Sequence, residues 1–154
     1  MANLFNQDFQ DFIQSLNINK VEYILVGGYA VILHGYIRST GDMDVWINKT
    51  TENYCKLKDA LRLFGAPMFS ENEFLGNTFN VWGFGKEPNR IEIMSEVKGL
   101  QFDKVYANSK TYQHENFTIR FIKLKDLLKA KKAAGRFKDK NDIEQLKKKH
   151  DPDL

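Results

Sequence analysis

The sequence predicts an α+β fold built on a mixed β-sheet, and three observations carry that reading. Two β-rich runs at residues 79–84 and 90–94 are joined by GKEPN, a Gly- and Pro-containing connector that favours an antiparallel hairpin. The predicted order, α-β-α-β-α-β-β-β-β-α-α, has too few regular βα alternations for a doubly wound parallel sheet. Residues 123–146 are rich in Lys, Leu and Ala and hold no β-rich run, so the chain closes on helices.

Phe5, Phe9, Phe12, Ile13 and Leu16 recur at helical spacing and predict an amphipathic helix ending near Asn17. Residues 21–26 (VEYILV) are short and β-rich; Gly27-Gly28 stops them, and residues 29–34 have the length of two helical turns. Residues 42–48 (DMDVWIN) alternate, with Met43, Val45 and Ile47 on one face and Asp42, Asp44 and Trp46 on the other. Thr50 or Thr51 caps a helix carrying Tyr54, Leu57, Leu61 and Phe64, with Gly65 at its C-terminal stop. Weaker strands are expected at 102–107 and 117–122, then two helices broken near Gly135. The whole of 1–154 is expected to form one domain with the basic helical tail 123–150 packed on it.

The chain has 42% apolar and 28% charged residues over 154 positions, the composition of an ordinary globular protein. Its single cysteine, Cys55, has no intrachain partner and no His/Cys cluster around it, which excludes a disulfide scaffold and a structural zinc site and points to a reducing, cytoplasmic setting. The N-terminus lacks a basic, apolar signal pattern. The longest apolar stretch, residues 23–37, is too short to span a bilayer and holds Gly27, Gly28, His34 and Gly35, so no membrane partner is expected. The net charge of +3 conceals an asymmetry: residues 1–119 carry net −3 and residues 120–154 net +6. A cationic tail beside an acidic body suits a polyanion such as a triphosphate or RNA, and equally a solvated helix face.

Aspartate is disfavoured in strands, yet Asp42 and Asp44 lie two apart in an alternating segment, on one face and about 7 Å apart at Cα. Such paired carboxylates call for a hard cation, Mg²⁺ or Mn²⁺, unless they simply face solvent. In residues 90–94 (RIEIM), Glu92 points away from Ile91 and Ile93. If this strand pairs with the first so that the apolar faces share a core, Glu92 joins Asp42 and Asp44. Three carboxylates can hold two metal ions for an in-line phosphoryl displacement. Gly27-Gly28 allows close backbone approach ahead of a helix N-terminus, the geometry that receives phosphate, although neither a P-loop nor a GxGxxG pattern is present.

The constellation of an apolar strand, Gly27-Gly28, thirteen intervening residues, Asp42-Met43-Asp44-Val45 and a later strand with Glu92 resembles the nucleotidyltransferase-fold superfamily typified by DNA polymerase beta. The string GGYAVILHGYIRSTGDMD is similar to that of small stand-alone prokaryotic members, including abortive-infection toxin nucleotidyltransferases and, more distantly, aminoglycoside and lincosamide nucleotidyltransferases. The resemblance covers residues 20–146 and implies a nucleotidyltransferase-like mixed sheet with flanking helices. It implies that Gly27 and Gly28 bind a nucleoside triphosphate, and that Asp42, Asp44 and Glu92 are catalytic and hold the metal, with Glu92 drawing the proton from the acceptor. Arg38 and Thr40 also match; Arg38 either contacts phosphate or braces the loop. The tail string LLKAKKAAGRFKDKNDIEQL resembles the end of these proteins, which brings Lys131 and Arg136 to the triphosphate. Lys131, Gly135, Asp139 and Asp142 would share a face of a continuous helix, with pairing such as Lys138 to Asp142 as the simpler use of the aspartates.

The resulting expectation is an ATP- or other NTP-using transferase that moves an NMP group to a hydroxyl or phosphate acceptor and releases pyrophosphate. The acceptor, an RNA, a protein or a small molecule, is left open, because no template-gripping domain is expected in a chain of this length. The competing expectation is a catalytically idle nucleotide- or RNA-binding module, or a toxin-antitoxin partner, of the same fold. His34, His114 and His150 show no ligand spacing, and His34 reads as a packing residue. Trp46 and Trp82 read as core, although Trp46 shares the Asp42/Asp44 face and is a candidate to stack on a base.

Overall fold

A computed structural model describes residues 4–77, 79–114 and 116–150; the ends of the expected 1–154 domain, residues 1–3 and 151–154, lie outside the described residues. The elements in chain order are α1 (Gln7–Ile18), β1 (Tyr23–Val26), α2 (Gly27–Leu33), β2 (Asp42–Ile47), α3 (Thr51–Phe64), α4 (Glu71–Leu75), β3 (Val81–Phe84), β4 (Arg90–Met94), α5 (Phe102–Asn108), β5 (Lys110–His114), β6 (Phe117–Phe121), α6 (Leu124–Ala134) and α7 (Phe137–Lys149). The six strands form one mixed sheet in the order β3-β4-β2-β1-β6-β5, so the fold is α+β with a nucleotidyltransferase-like arrangement.

The centre of the sheet follows from its apolar runs. All four residues of β1 are buried, which places it in the interior between β2, antiparallel, and β6, parallel. β2 then pairs in parallel with β4, a connection that needs a long crossover, supplied here by α3, α4 and β3. The GKEPN connector does make an antiparallel hairpin, with Trp82 opposite Ile93 and Gly83 opposite Glu92.

Alternation divides the apolar residues between two faces. On one, Leu25, Met43, Val45, Ile91, Ile93 and Ile119 meet the stripe of α1 and the inner face of α3. Asn6 caps α1 by accepting from the Phe9 N–H, which fixes the stripe so that Phe9, Phe12, Ile13 and Leu16 are all buried. Burying each of these side chains is worth about 1.5–3 kcal/mol. On the other face, Ile24, Val26, Trp46 and Ile122 pack with Val105, Leu127 and Leu146 of α5, α6 and α7. The second face also carries Asp42, Asp44 and Glu92.

The structure departs from the expected elements at α5, α4 and β5. Residues 102–107, read as a strand, form α5: Phe102, Val105 and Tyr106 are β-rich by type but sit at helical spacing, and Phe102 packs edge-on against Trp46. The short helix α4, capped by Ser70 and anchored by Phe74, goes beyond the expected elements, as does the edge strand β5, whose KTYQH sequence has no apolar alternation. The expected break between the two closing helices falls at Gly135, which takes φ +66° and ends α6. No described helix is long and apolar enough to cross a membrane.

Candidate active site

The site begins at the β1–α2 junction. Gly27 has φ +70°, and a Cβ at that position would lie 2.1 Å from Asp44 Oδ2, so the glycine is what lets the turn close over the strand carrying the aspartates. A Cβ on Gly28 would lie 2.5 Å from Thr40 Oγ1 and 3.3 Å from an Arg38 guanidinium nitrogen. The turn is thus pressed between Asp44 on one side and the Arg38–Thr40 loop on the other. Thr40 donates to the Asp42 carbonyl at 3.4 Å, tying that loop to the start of β2.

Parallel pairing puts Asp42 opposite Arg90 and Asp44 opposite Glu92. Each carboxylate of Asp42, Asp44 and Glu92 offers an oxygen within 4.8 Å of the other two. Burial, reinforced by the Asp42 and Glu92 charges, pushes the Asp44 carboxyl from an ordinary 3.8 up to about 7. Asp44 Oδ1 is buried and has no hydrogen-bond partner among the described residues. A buried carboxylate oxygen left without a donor, inside a cluster of like charges, fits a bound divalent cation: all-oxygen ligands of this kind suit Mg²⁺ or Mn²⁺. On the side of β3, Arg90 approaches Glu92 at 3.3 Å and also donates to the Gly85 carbonyl.

The tail approaches the same site through an ionic network. The Lys131 ammonium lies 3.2 Å from Asp139 and 2.9 Å from Asp142, all three buried. Arg38 grips Asp142 with two nitrogens at 2.8 and 2.9 Å, and Arg136 pairs with Asp139 at 2.7 Å. Burial acts to raise both aspartates, but Arg136 and Lys131 outweigh it at Asp139, and Arg38 and Lys131 at Asp142, so both sit below the ordinary value. Lys131, Asp139 and Asp142 do share a face, but across the α6–α7 reversal at Gly135 rather than along one helix. Asp142 pairs with Arg38 and Lys131, not with Lys138.

A cleft of about 130 Å³ joins these parts, lined among others by Gly27, Asp44, Val97, Lys131, Arg136 and Asp139. The structure therefore gathers Gly27, Asp44, Lys131 and Arg136 around one space and sets Asp42 and Glu92 beside Asp44, while Gly28, Arg38 and Thr40 form the layer behind the turn. Lys138 is a cation that sequence reasoning does not place at the site, though its charge is felt at Asp44; one lysine in a basic helix gives no signal of its own. A His34 ring nitrogen is hydrogen-bonded to the Ile122 carbonyl at 2.7 Å in the core, as its isolation in sequence predicts. Trp46 is 2% exposed and donates to the Ser95 carbonyl, so it is a core residue, and its ring is not laid open beside the carboxylates.

Three converging carboxylates on the central strands of a mixed sheet, next to a glycine turn, place the protein in the nucleotidyltransferase-like class. The model of a family described as "Nucleotidyltransferase of unknown function (DUF6036)" matches residues 4–150, and the chain belongs to that family. No curated protein matches it.

Proposed function

We propose that the protein is a divalent-metal-dependent nucleotidyltransferase that moves an NMP group from an NTP to a hydroxyl or phosphate acceptor and releases pyrophosphate. The observation that carries this reading is the carboxylate cluster of Asp42, Asp44 and Glu92 with its unpartnered, buried Asp44 oxygen. These three residues would hold Mg²⁺ or Mn²⁺, which supplies charge stabilisation for the attacking and leaving oxygens when bound.

The chain's own residues supply the rest. The open backbone of Gly27 and Gly28 lets the triphosphate approach Asp44, and the Arg136 guanidinium, 62% exposed at the cleft, faces its charge. Lys131 adds a positive wall to the same cleft while holding Asp139 and Asp142. Arg38 and Thr40 act by bracing the turn from behind. Glu92 accepts the proton of the acceptor hydroxyl; the new bond joins the acceptor oxygen to the α-phosphorus as the bond to the β-phosphate oxygen breaks, and pyrophosphate leaves.

The test is NMP transfer from labelled NTPs with Mg²⁺ or Mn²⁺, followed by mass spectrometry of RNA, protein and metabolites from a lysate. Removing one ligand withdraws at least about 2.7 kcal/mol of transition-state stabilisation, so Asp44→Asn should transfer about a hundredfold more slowly. Equal transfer by Asp44→Asn and the parent would show the proposal to be wrong. Nucleotide or RNA binding that weakens steeply with salt, needs no metal and yields no pyrophosphate would instead mark an idle binding module or an antitoxin-type partner.

A further inference from the structure

Beside the cleft at the glycine turn lies a larger pocket of about 630 Å³. It opens where β2 and β4 end, and Val97 lines both spaces. Trp46, part of its wall, lies on the carboxylate face two residues beyond Asp44, about 7 Å along the strand. Its lining is mainly apolar, with Phe79, Leu100 and Phe102 alongside Trp46 and Val97. The volume falls in the range that takes a small molecule rather than a polymer's edge.

The polar lining comes from Asn48, Lys49, Ser95, Glu96 and Lys98. Ser95 lines the pocket, is 5% exposed, and its hydroxyl has no hydrogen-bond partner among the described residues. A buried hydroxyl without a partner is unfavourable, and a ligand's polar edge would satisfy it. At the rim, Lys49 is paired with Glu96 at 3.0 Å, and the exposed Lys98 adds a further positive charge. Two cations against one carboxylate disfavour a polycationic ligand and favour a neutral or anionic one.

Resting on the reading of the carboxylate cluster as a nucleotidyl-transfer site, we infer that this pocket receives the acceptor, a small molecule with a planar apolar ring system and a neutral or anionic polar edge. Its ring packs among Phe79, Leu100 and Phe102, its polar edge meets Ser95 and Lys98, and the reacting hydroxyl points past Val97 toward Glu92. The triphosphate cleft remains free for the donor.

The probe is 8-anilinonaphthalene-1-sulfonate, an aromatic anion that fluoresces in apolar surroundings, titrated into the full chain. One saturable site per chain is expected, weakened at least tenfold by Lys98→Glu and by Phe79→Ala, two substitutions at exposed positions that leave the core untouched. Binding should be the same in Asp44→Asn and in the presence of a saturating mixture of the four ribonucleoside triphosphates with Mg²⁺. Absence of a saturable site, or binding indifferent to both surface substitutions, overturns the pocket. Displacement by the triphosphates overturns the acceptor assignment, because the space then holds the donor's base. With the wild type and labelled NTPs, transfer should appear in the small-molecule fraction of a lysate and be suppressed by the probe with no change in KM for NTP; label in RNA or protein instead overturns the inference. A wild type that transfers nothing sinks the activity, while probe binding still decides the pocket.

Discussion

Asp44→Asn in metal-free protein tests the electrostatics of the site without reference to turnover. In the fold the Asp44 carboxyl titrates at about 7, against 3.8 ordinarily, because it is buried beside Asp42 and Glu92. A group that binds its proton more tightly when folded stabilises the fold at low pH and loses that contribution as pH rises through its folded value. Between about pH 4 and pH 7 the metal-free wild type should therefore lose stability with rising pH. The difference between 3.8 and about 7 corresponds to no more than about 4 kcal/mol, and solvent reaching the cluster reduces it. Because the three carboxylates interact, the proton belongs to the cluster, and the neutral amide introduced by Asp44→Asn removes most of the pH slope. The assay is urea or thermal denaturation in EDTA at four pH values spanning roughly 4 to 7.5, the window between the unfolded and folded values over which the stability changes. Asp44→Asn should match the wild type at the acid end and exceed it by about 1–4 kcal/mol at the alkaline end. Mg²⁺ or Mn²⁺ at about a hundred times its Kd should add about 2.7 kcal/mol to the wild type at the alkaline end and little to the variant. A wild type whose stability is flat across that window in EDTA, or one that gains nothing from either cation, would refute the reasoning.

Lys131→Met removes the cation shared by Asp139 and Asp142, both less than 2% exposed; breaking such a buried pair costs about 3–5 kcal/mol and should lower Tm by roughly 6–20 °C in a thermal scan. Asp139 and Asp142 titrate below their ordinary 3.8, so the stability they contribute is present above about pH 4 and lost as pH falls through their folded values; acid unfolding in Arg38→Met should begin at higher pH than in the wild type, followed by circular dichroism. Gly27→Ala forces a Cβ into Asp44 Oδ2 and strains a left-handed residue by about 1–2 kcal/mol, so calorimetric Mn²⁺ binding should weaken at least tenfold. Gly65→Ala carries the same kind of backbone strain at φ +98° with nothing within 4 Å, and should leave Mn²⁺ binding unchanged.

Much of the site is legible in the sequence because its elements are local and strongly patterned. β1, the glycine turn and β2 announce themselves within one short stretch, and the alternation of β4 assigns Glu92 to a face before any pairing is known. That β2 and β4 are neighbours is a non-local fact; it follows only once the shared apolar core is in view. The tail network is legible in its members and not in its partners. Lys131, Asp139 and Asp142 stand out in the sequence, but the reversal at Gly135 and the arrival of Arg38 from a distant loop decide who pairs with whom. α5 reads as a strand because its aromatic and branched residues favour strands by type, whereas Trp46 recruits them as a helical stripe. The pocket beside Trp46 gives no sequence signal, since its walls come from strand ends and loops.

The crossover that makes β2 and β4 parallel separates what the chain can vary from what it must keep. Within the excursion, Phe69 and the fully buried Phe74 of α4 are tied into the core, so only its exposed positions can be refashioned for different neighbours. A one-residue slip inside either strand, by contrast, would turn an acid inward and an isoleucine outward, erasing the cluster in a single step. The two strands thus act as a fixed vernier, in which register and not only composition keeps the three acids together.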